Sequence, residues 1–146
     1  MIMEHSPIRS AGSNAALLAG RLLLSAIFLH EGATLALNFN ATAAAFERLG
    51  LELPVAIGVI LLQLAAGFSV AAGMATRLGA VALGIFCLMT ALLFHTDFTS
   101  QNELLHFEKD FAIAGGMFVL AISGAGSLSV DAVLKRIVPA PVAAFF

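Results

Sequence analysis

AALLAGRLLLSAIFLHEGATLAL, residues 15–37, decides the fold class of this chain. It is long enough as a helix to cross the roughly 30 Å hydrocarbon layer of a bilayer, yet it contains Arg21, His30 and Glu31. Ionisable side chains at that depth are costly unless they are partnered or functional. Working outward, three more apolar runs follow, about Pro54 to Ala75, Leu78 to Phe94 and Phe111 to Gly124, all without formal charge. The pattern predicts an all-α integral membrane four-helix bundle, a single domain over residues 1–146, with spans at about 15–37, 54–75, 78–95 and 108–125.

Composition points the same way. Hydrophobic residues make up 60% of the chain and charged ones 11%, and the mean hydropathy is +1.01. That leaves too little polar surface for a water-soluble domain of 146 residues. A net charge of -2 and the lack of any basic run argue against nucleic acid as a partner. Cys87, the single cysteine, lies in the third apolar run, where it reads as a packing residue. Ala41-Thr42-Ala43 resembles a signal-peptide cleavage site, but Arg21 and His30-Glu31 leave too short an apolar core before it, so the first span reads as a retained anchor.

The basic residues orient the chain. Arg9, Arg77 and Lys135-Arg136 fall at the chain ends and in the short second connection, which places both termini in the cytoplasm. The outer side then receives Glu47, Arg48, Glu52, His95, Asp97, Glu103, His106, Glu108, Lys109 and Asp110. Ser100 and Glu103 have capping-box spacing, so the fourth helix should begin near Gln101. Pro54 suits the first turn of the second helix. Thr42 is expected to cap a short interfacial helix ending at Gly50, with Phe46 and Leu49 on one side and Glu47-Arg48 on the other. Ser129 to Val138 reads as a short cytoplasmic helix stopped by Pro139, and Gly124-Ala125-Gly126-Ser127 as a helix terminator.

At 100° per residue, with Arg21 at zero, Glu31 falls near 280° and His30 near 180°. This arrangement predicts an inward sector centred on Glu31 with Gly20, Ile27 and Thr34, and a lipid face of Leu22, Ala26, Leu29 and Ala33. Arg21 either snorkels to the cytoplasmic surface or is buried against a partner or an anionic headgroup. Glu31 is expected to pair with Lys109 within an outer polar cluster that also holds His30, Gln63, His95, His106 and Asp110. Such a cluster is either a structural network joining four helices or a ligand site, and quinone is the candidate ligand, because its carbonyls accept hydrogen bonds and its ring needs an apolar slot. No HxxxH or HxxH spacing supports a metal site. Gln63 reads as an interhelical hydrogen-bonding residue, and Gly67/Ala71, Ala80/Gly84 and Ala112/Gly116 as small-residue pairs that let backbones approach.

Gly20-Arg21-Leu22-Leu23-Leu24, Leu49-Gly50-Leu51 followed by Pro54, Gly73-Met74-Ala75-Thr76-Arg77, His95, Lys109, and the segment from Gly124 to Asp131 together resemble the DoxX family of small bacterial membrane proteins. The resemblance runs over nearly the whole chain. Its pattern sites fall on Arg21, Gln63, Arg77, His95 and Lys109. The family commonly has an acidic residue where Gln63 stands and a lysine near His30-Glu31-Gly32. The resemblance implies a four-helix inner-membrane protein, in some relatives a subunit of thiosulfate:quinone oxidoreductase and in others a membrane partner of redox or thiol-stress enzymes. The expected function is therefore an auxiliary, quinone-associated membrane subunit, not an enzyme on its own. A redox-enzyme partner or a second copy of the chain are the candidate protein partners. The competing expectations are a structural or assembly protein, and a solute or proton pathway through Arg21, Gln63 and Glu31.

Overall fold

The computed structural model describes residues 7–137, and every regular element among them is helical. The order is α1 Pro7–Leu37, α2 Phe39–Arg48, α3 Leu53–Ala72, α4 Thr76–Phe94, α5 Gln101–Ser123 and α6 Val130–Ile137. Three segments, Ala11–Leu37, Leu53–Ala72 and Thr76–Phe94, are long and apolar enough to cross a membrane. In α5 the acidic and basic residues Glu108, Lys109 and Asp110 interrupt the apolar pattern. Along the bundle α1 packs on α3, α3 on α4 and α4 on α5, while α5 returns to α1 through a much thinner contact and α2 bridges α1 and α3.

The distribution of apolar residues is that of a lipid-solvated protein. The core is built mainly from small and medium side chains, including Ala66, Val70, Ala80, Leu83, Cys87, Ala114 and Met117. Large apolar residues such as Leu61, Leu78, Val119 and Ile122 point outward. Between helices already surrounded by hydrocarbon, close packing and polar contacts decide which faces meet, since burying a leucine gains little over leaving it in lipid.

That principle corrects the expected rotation of α1. Its buried residues are Arg21, Ser25, Phe28 and Gly32, which lie within about 60° of one another on the helical wheel. His30, Glu31 and Thr34 are exposed on the outward side, and Leu29 packs inward instead of facing lipid. Gly32 and Gly67 explain the choice. A β-carbon on Gly32 would stand 3.0 Å from Leu64, and one on Gly67 would stand 3.2 Å from Leu29. The two glycines let α1 and α3 approach closely, and that approach sets the rotation.

The helix ends follow local chemistry. Pro54 sits in the first turn of α3, where its missing N–H is not needed. α3 ends at Ala72, earlier than the expected 75, because Gly73 takes a left-handed conformation (φ 72°) and the Met74 N–H donates back to the Ser69 carbonyl at 2.9 Å, a Schellman closure. α2 begins at Phe39, before Thr42, so Thr42 is not its cap. The Thr42 hydroxyl instead donates to the Leu35 carbonyl at 2.9 Å, and the Asn38 amide donates to the Thr34 carbonyl at 2.9 Å, fastening α2 to the end of α1. α5 starts at Gln101 as the spacing predicts, yet Ser100 makes no side-chain cap, because Glu103 is turned to His95. α5 ends at Ser123, with Gly124 and Gly126 both at positive φ. α6 is opened by Ser129, whose hydroxyl oxygen accepts the Ala132 N–H at 3.1 Å; the expected stop at Pro139 lies outside the described residues.

At the end of the bundle that holds the α3–α4 turn, one junction gathers four segments. The Arg21 guanidinium, 1% exposed, donates from Nη2 to the Leu128 carbonyl at 2.6 Å, so the snorkelling alternative does not hold. Asp131 accepts the Ala75 N–H at 2.7 Å and the Thr76 N–H at 3.2 Å, capping α4 from outside the helix, and its own N–H donates to the Gly73 carbonyl at 2.7 Å. Ala75 is thereby held at φ 51°, a left-handed conformation that a non-glycine residue seldom adopts. A side chain on Gly73 would collide with Arg21 Nη1 and Ser129 Cβ. Gly73→Ala should therefore lower the apparent melting temperature in detergent by the equivalent of more than about 2 kcal/mol, while Gly58→Ala, whose β-carbon meets nothing within 4 Å, leaves it unchanged or slightly raised. Scanning fluorimetry of the two variants side by side checks this.

Candidate functional site

At the opposite end, α2 and the following connection lie over a cleft between α3 and α4. The cleft has a volume of about 500 Å³. Its walls come from Leu35 at the end of α1, Phe46 of α2, Leu49 and Leu51 of the connection, Val55, Val59 and Gln63 of α3, and Phe86, Met89, Thr90, Leu93 and Phe94 of α4, with His95 at the mouth. Only Gln63, Thr90 and His95 bring polar side chains. Phe46 and Leu49 reach it because they share the apolar side of the short amphipathic helix and its exit, as their spacing predicts; Glu47 and Arg48 stay exposed.

Gln63 is 5% exposed, shares the Gly32 contact with Leu64 through its Cβ, and has no hydrogen-bond partner among the described residues. A primary amide has two donors and a two-lone-pair acceptor, and those of Gln63 open onto the cleft and are free for a ligand. Thr90 is engaged on the far side: its hydroxyl lies 2.9 Å from the Cys87 carbonyl and 3.0 Å from Asp110 Oδ2, and its single proton serves one of them at a time. The Asp110 contact ties α4 to α5.

His95 is positioned from α5. Its Nδ1 lies 2.7 Å from Glu103 Oε2, and its ring stacks on that of His106 with centroids 5.1 Å apart and planes 28° from parallel. His106 is fixed in turn by Nδ1 donating to the Asn102 carbonyl at 2.7 Å. A His95 that gives its Nδ1–H to Glu103 leaves Nε2 available, as an acceptor when the ring is neutral and as a second donor when it is protonated. The cleft thus combines an apolar slot with a neutral amide and an imidazole whose second nitrogen is not committed.

Of the sequence-derived cluster, Gln63 and His95 share the cleft, His106 stands behind His95, and Asp110 joins through Thr90. His30, Glu31 and Lys109 do not join it. All three are exposed, Glu31 does not line the cleft, and the expected Glu31–Lys109 pair is not formed. Helical rise places those two residues at comparable depth, but the rotation of α1 turns Glu31 away from the core. Arg21 belongs to the junction at the other end, and Arg77, exposed, borders a smaller cleft of about 210 Å³ there with Ser123, Gly124 and Asp131. Sequence reasoning missed Thr90, whose one signal is that it is the lone hydroxyl in the second half of α4, and it met Asp131 only as the end of the family-like segment from Gly124, without a role. Among the described residues no three His, Cys, Asp or Glu side chains gather so as to hold a metal ion.

The fold and the cleft define a multi-pass α-helical membrane protein with a partly covered apolar site between helices. The family model described as DoxX matches residues 16–96, which run from α1 through α4, and the chain belongs to the DoxX family. Inner membrane protein YqjF of Escherichia coli (strain K12) is 34% identical over 122 residues, covering 82% of this chain and 92% of that protein. Inner membrane protein YphA of the same organism is 30% identical over 122 residues, covering 79% of this chain and 87% of its own. No solved structure matches. The protein is accordingly a multi-pass inner-membrane protein.

The loop that carries His95 has its own electrostatic signature. Asp97 accepts hydrogen bonds from the Thr99 hydroxyl and the Thr99 N–H, and these hold its carboxyl below the usual range, the hydroxyl contributing most. The folded value being depressed, the ordering effect is fully present above the ordinary carboxylate value and is lost as pH falls through the folded one. Thr99→Val should move the Asp97 titration part of the way back up, as read by carboxyl-carbon NMR.

Proposed function

We propose that this DoxX-family protein is a four-helix inner-membrane subunit of a redox system, not an enzyme by itself, that admits a quinone-class ring to the cleft beneath α2. The observation that carries the reading is the Gln63 amide, which opens onto an apolar cleft and has no hydrogen-bond partner among the described residues. A ring carbonyl in the cleft would accept from that amide, and the ring faces would pack between Phe86, Met89 and Leu93. With α5 taken as the fourth crossing, the basic residues Arg9, Arg77, Lys135 and Arg136 favour the α3–α4 end as cytoplasmic, which puts the cleft and α2 at the outer interface, where a lipid-soluble ligand arrives laterally.

One set of observations favours a second reading, a purely structural protein. Thr90 to Asp110 and His95 to Glu103 both join α4 to α5, as a polar network that only holds the bundle would do. Binding separates the two. Protein purified in mild detergent should carry extractable quinone, seen by absorbance and mass, or gain thermal stability on addition of a short-chain benzoquinone or naphthoquinone. Gln63→Leu should weaken that binding about fivefold, the worth of one hydrogen bond, with the unliganded melting temperature nearly unchanged. Absence of bound quinone together with an unmoved melting temperature on titration would overturn the redox reading and leave the structural one.

A further inference from the structure

His30 and Glu31 stand exposed on the outward side of α1, about 10 Å below the Leu37 end of a helix that crosses the membrane. Neither side chain makes a hydrogen bond or ion pair among the described residues. Acyl chains offer no partner to an imidazole or a carboxylate, and side chains this short do not snorkel over such a distance as lysine and arginine do. In the membrane this face is covered by protein.

We propose that the cover is a second copy of this chain, joined through a parallel α1–α1 interface in which His30 of each copy meets Glu31 of the other. Two copies inserted in the same sense are related by an axis along the membrane normal, so every residue meets its own depth in the partner. An acid beside a base at one level is then self-complementary: the twofold axis produces two His–Glu pairs and leaves no ionisable group unmatched. The rest of the face has the matching register. Gly20, Leu23, Ile27, His30, Thr34 and Leu37 recur at alternating steps of three and four, the heptad seam of a parallel helix pair. In that seam His30 takes a d position and Glu31 the adjoining e position, and a d side chain packs against the d and e residues of its partner. Leu23 and Leu37 are 76% and 86% exposed, and His30 and Thr34 are exposed too, so four of the six seam positions are uncovered within one chain, while Gly20 is half-buried and Ile27 leans partly on the core. The small residues Ala26 and Ala33 flank it and permit close approach. A foreign partner would need a matching acid and base at the same depth, which a second copy has by symmetry. The interface lies apart from the α2 cleft and stands whether or not quinone binds.

The test is oxidative cross-linking of the full chain in its native membrane, with the buried Cys87 retained. Leu23→Cys and Thr34→Cys should each give a disulfide-linked species of twice the chain mass, whereas Leu61→Cys, equally outward on α3, should not. His30→Ala or Glu31→Gln in the Thr34→Cys background should lower the cross-linked fraction about tenfold, and the exchange of His30→Glu with Glu31→His should restore it. These side chains are exposed within the monomer, so an unchanged melting temperature of the detergent-dissociated chain confirms that the variants fold. No doubling at Leu23→Cys and Thr34→Cys, equal doubling at Leu61→Cys, indifference to both single charge variants, or a Thr34→Cys adduct to a different polypeptide would each overturn the proposal.

Discussion

A guanidinium buried in a small helical bundle must be answered by the surrounding protein, and Arg21 is the largest fully buried side chain among the described residues. The answer comes from a segment more than a hundred positions away. The Leu128 carbonyl takes one of its donors, Asp131 lies in the same junction without forming an ion pair, and Nε and Nη1 have no partner among the described residues. Asp131 in turn spends both oxygens on the first amides of α4, and its backbone holds the Gly73 carbonyl. Arg21 therefore fastens the first long helix to the segment after α5, and that segment fastens the α3–α4 turn. Losing one member of such a set leaves an uncompensated charge in a low-dielectric site, which costs far more than any single hydrogen bond is worth. The glycine at 73 and the left-handed alanine at 75 are conformational consequences of this one requirement.

The two ends of the bundle are consequently unlike. At the Arg21 end the backbone is pinned by several charge-assisted or backbone hydrogen bonds within a few residues. At the α2 end the covering helix is held by Thr42, Asn38 and apolar contacts, over a cleft that the protein's own side chains do not fill. Free energy of local opening varies across a structure in this way, and segments that must admit something are drawn from the weakly held part. α2 follows α1 after the single residue Asn38 and is tied back to it by the Thr42–Leu35 and Asn38–Thr34 hydrogen bonds, with no such bond to α3 or α4 among the described residues.

Depth was legible in the sequence and rotation was not. Runs of apolar residues, Pro54 and Gly124 locate most helix ends to within a few positions, because length, the missing proline N–H and positive φ act locally, although α1 begins at Pro7, well before the expected 15. Helical rise also puts Glu31 level with Lys109 and His95 near His106. Which way α1 faces is another matter. In water the hydrophobic face marks the core, but in lipid both faces are apolar and a single segment offers only its polar residues as a guide, which centres the inner sector on Glu31. The rotation is instead set by Gly32 against Leu64 and Gly67 against Leu29, contacts between residues of different helices that no single segment reveals. Glu103 illustrates the same limit: its spacing from Ser100 is that of a cap, but the competing imidazole of His95 comes from the preceding helix and takes the carboxylate. The role of Asp131 was hidden because its partners are backbone amides, which have no signature in side-chain pattern.

Under the proposed function, the uncharged character of Gln63 matters as much as its burial. A carboxylate at the base of an apolar cleft would have to be neutralised or paired, and a ligand would have to compete with that pairing. An amide carries both donor and acceptor at no charge cost. It can give an N–H to a quinone carbonyl and accept an O–H from the reduced ring without changing its own state. His95 has the same property by a different route, since the nitrogen not bound to Glu103 accepts when the ring is neutral and donates when it is protonated. A cleft with two such groups holds either redox form of a ring with similar strength. Equal affinity for both forms leaves the potential of the bound couple where it is in the membrane, which suits a subunit that receives and releases quinone and leaves its chemistry to a partner.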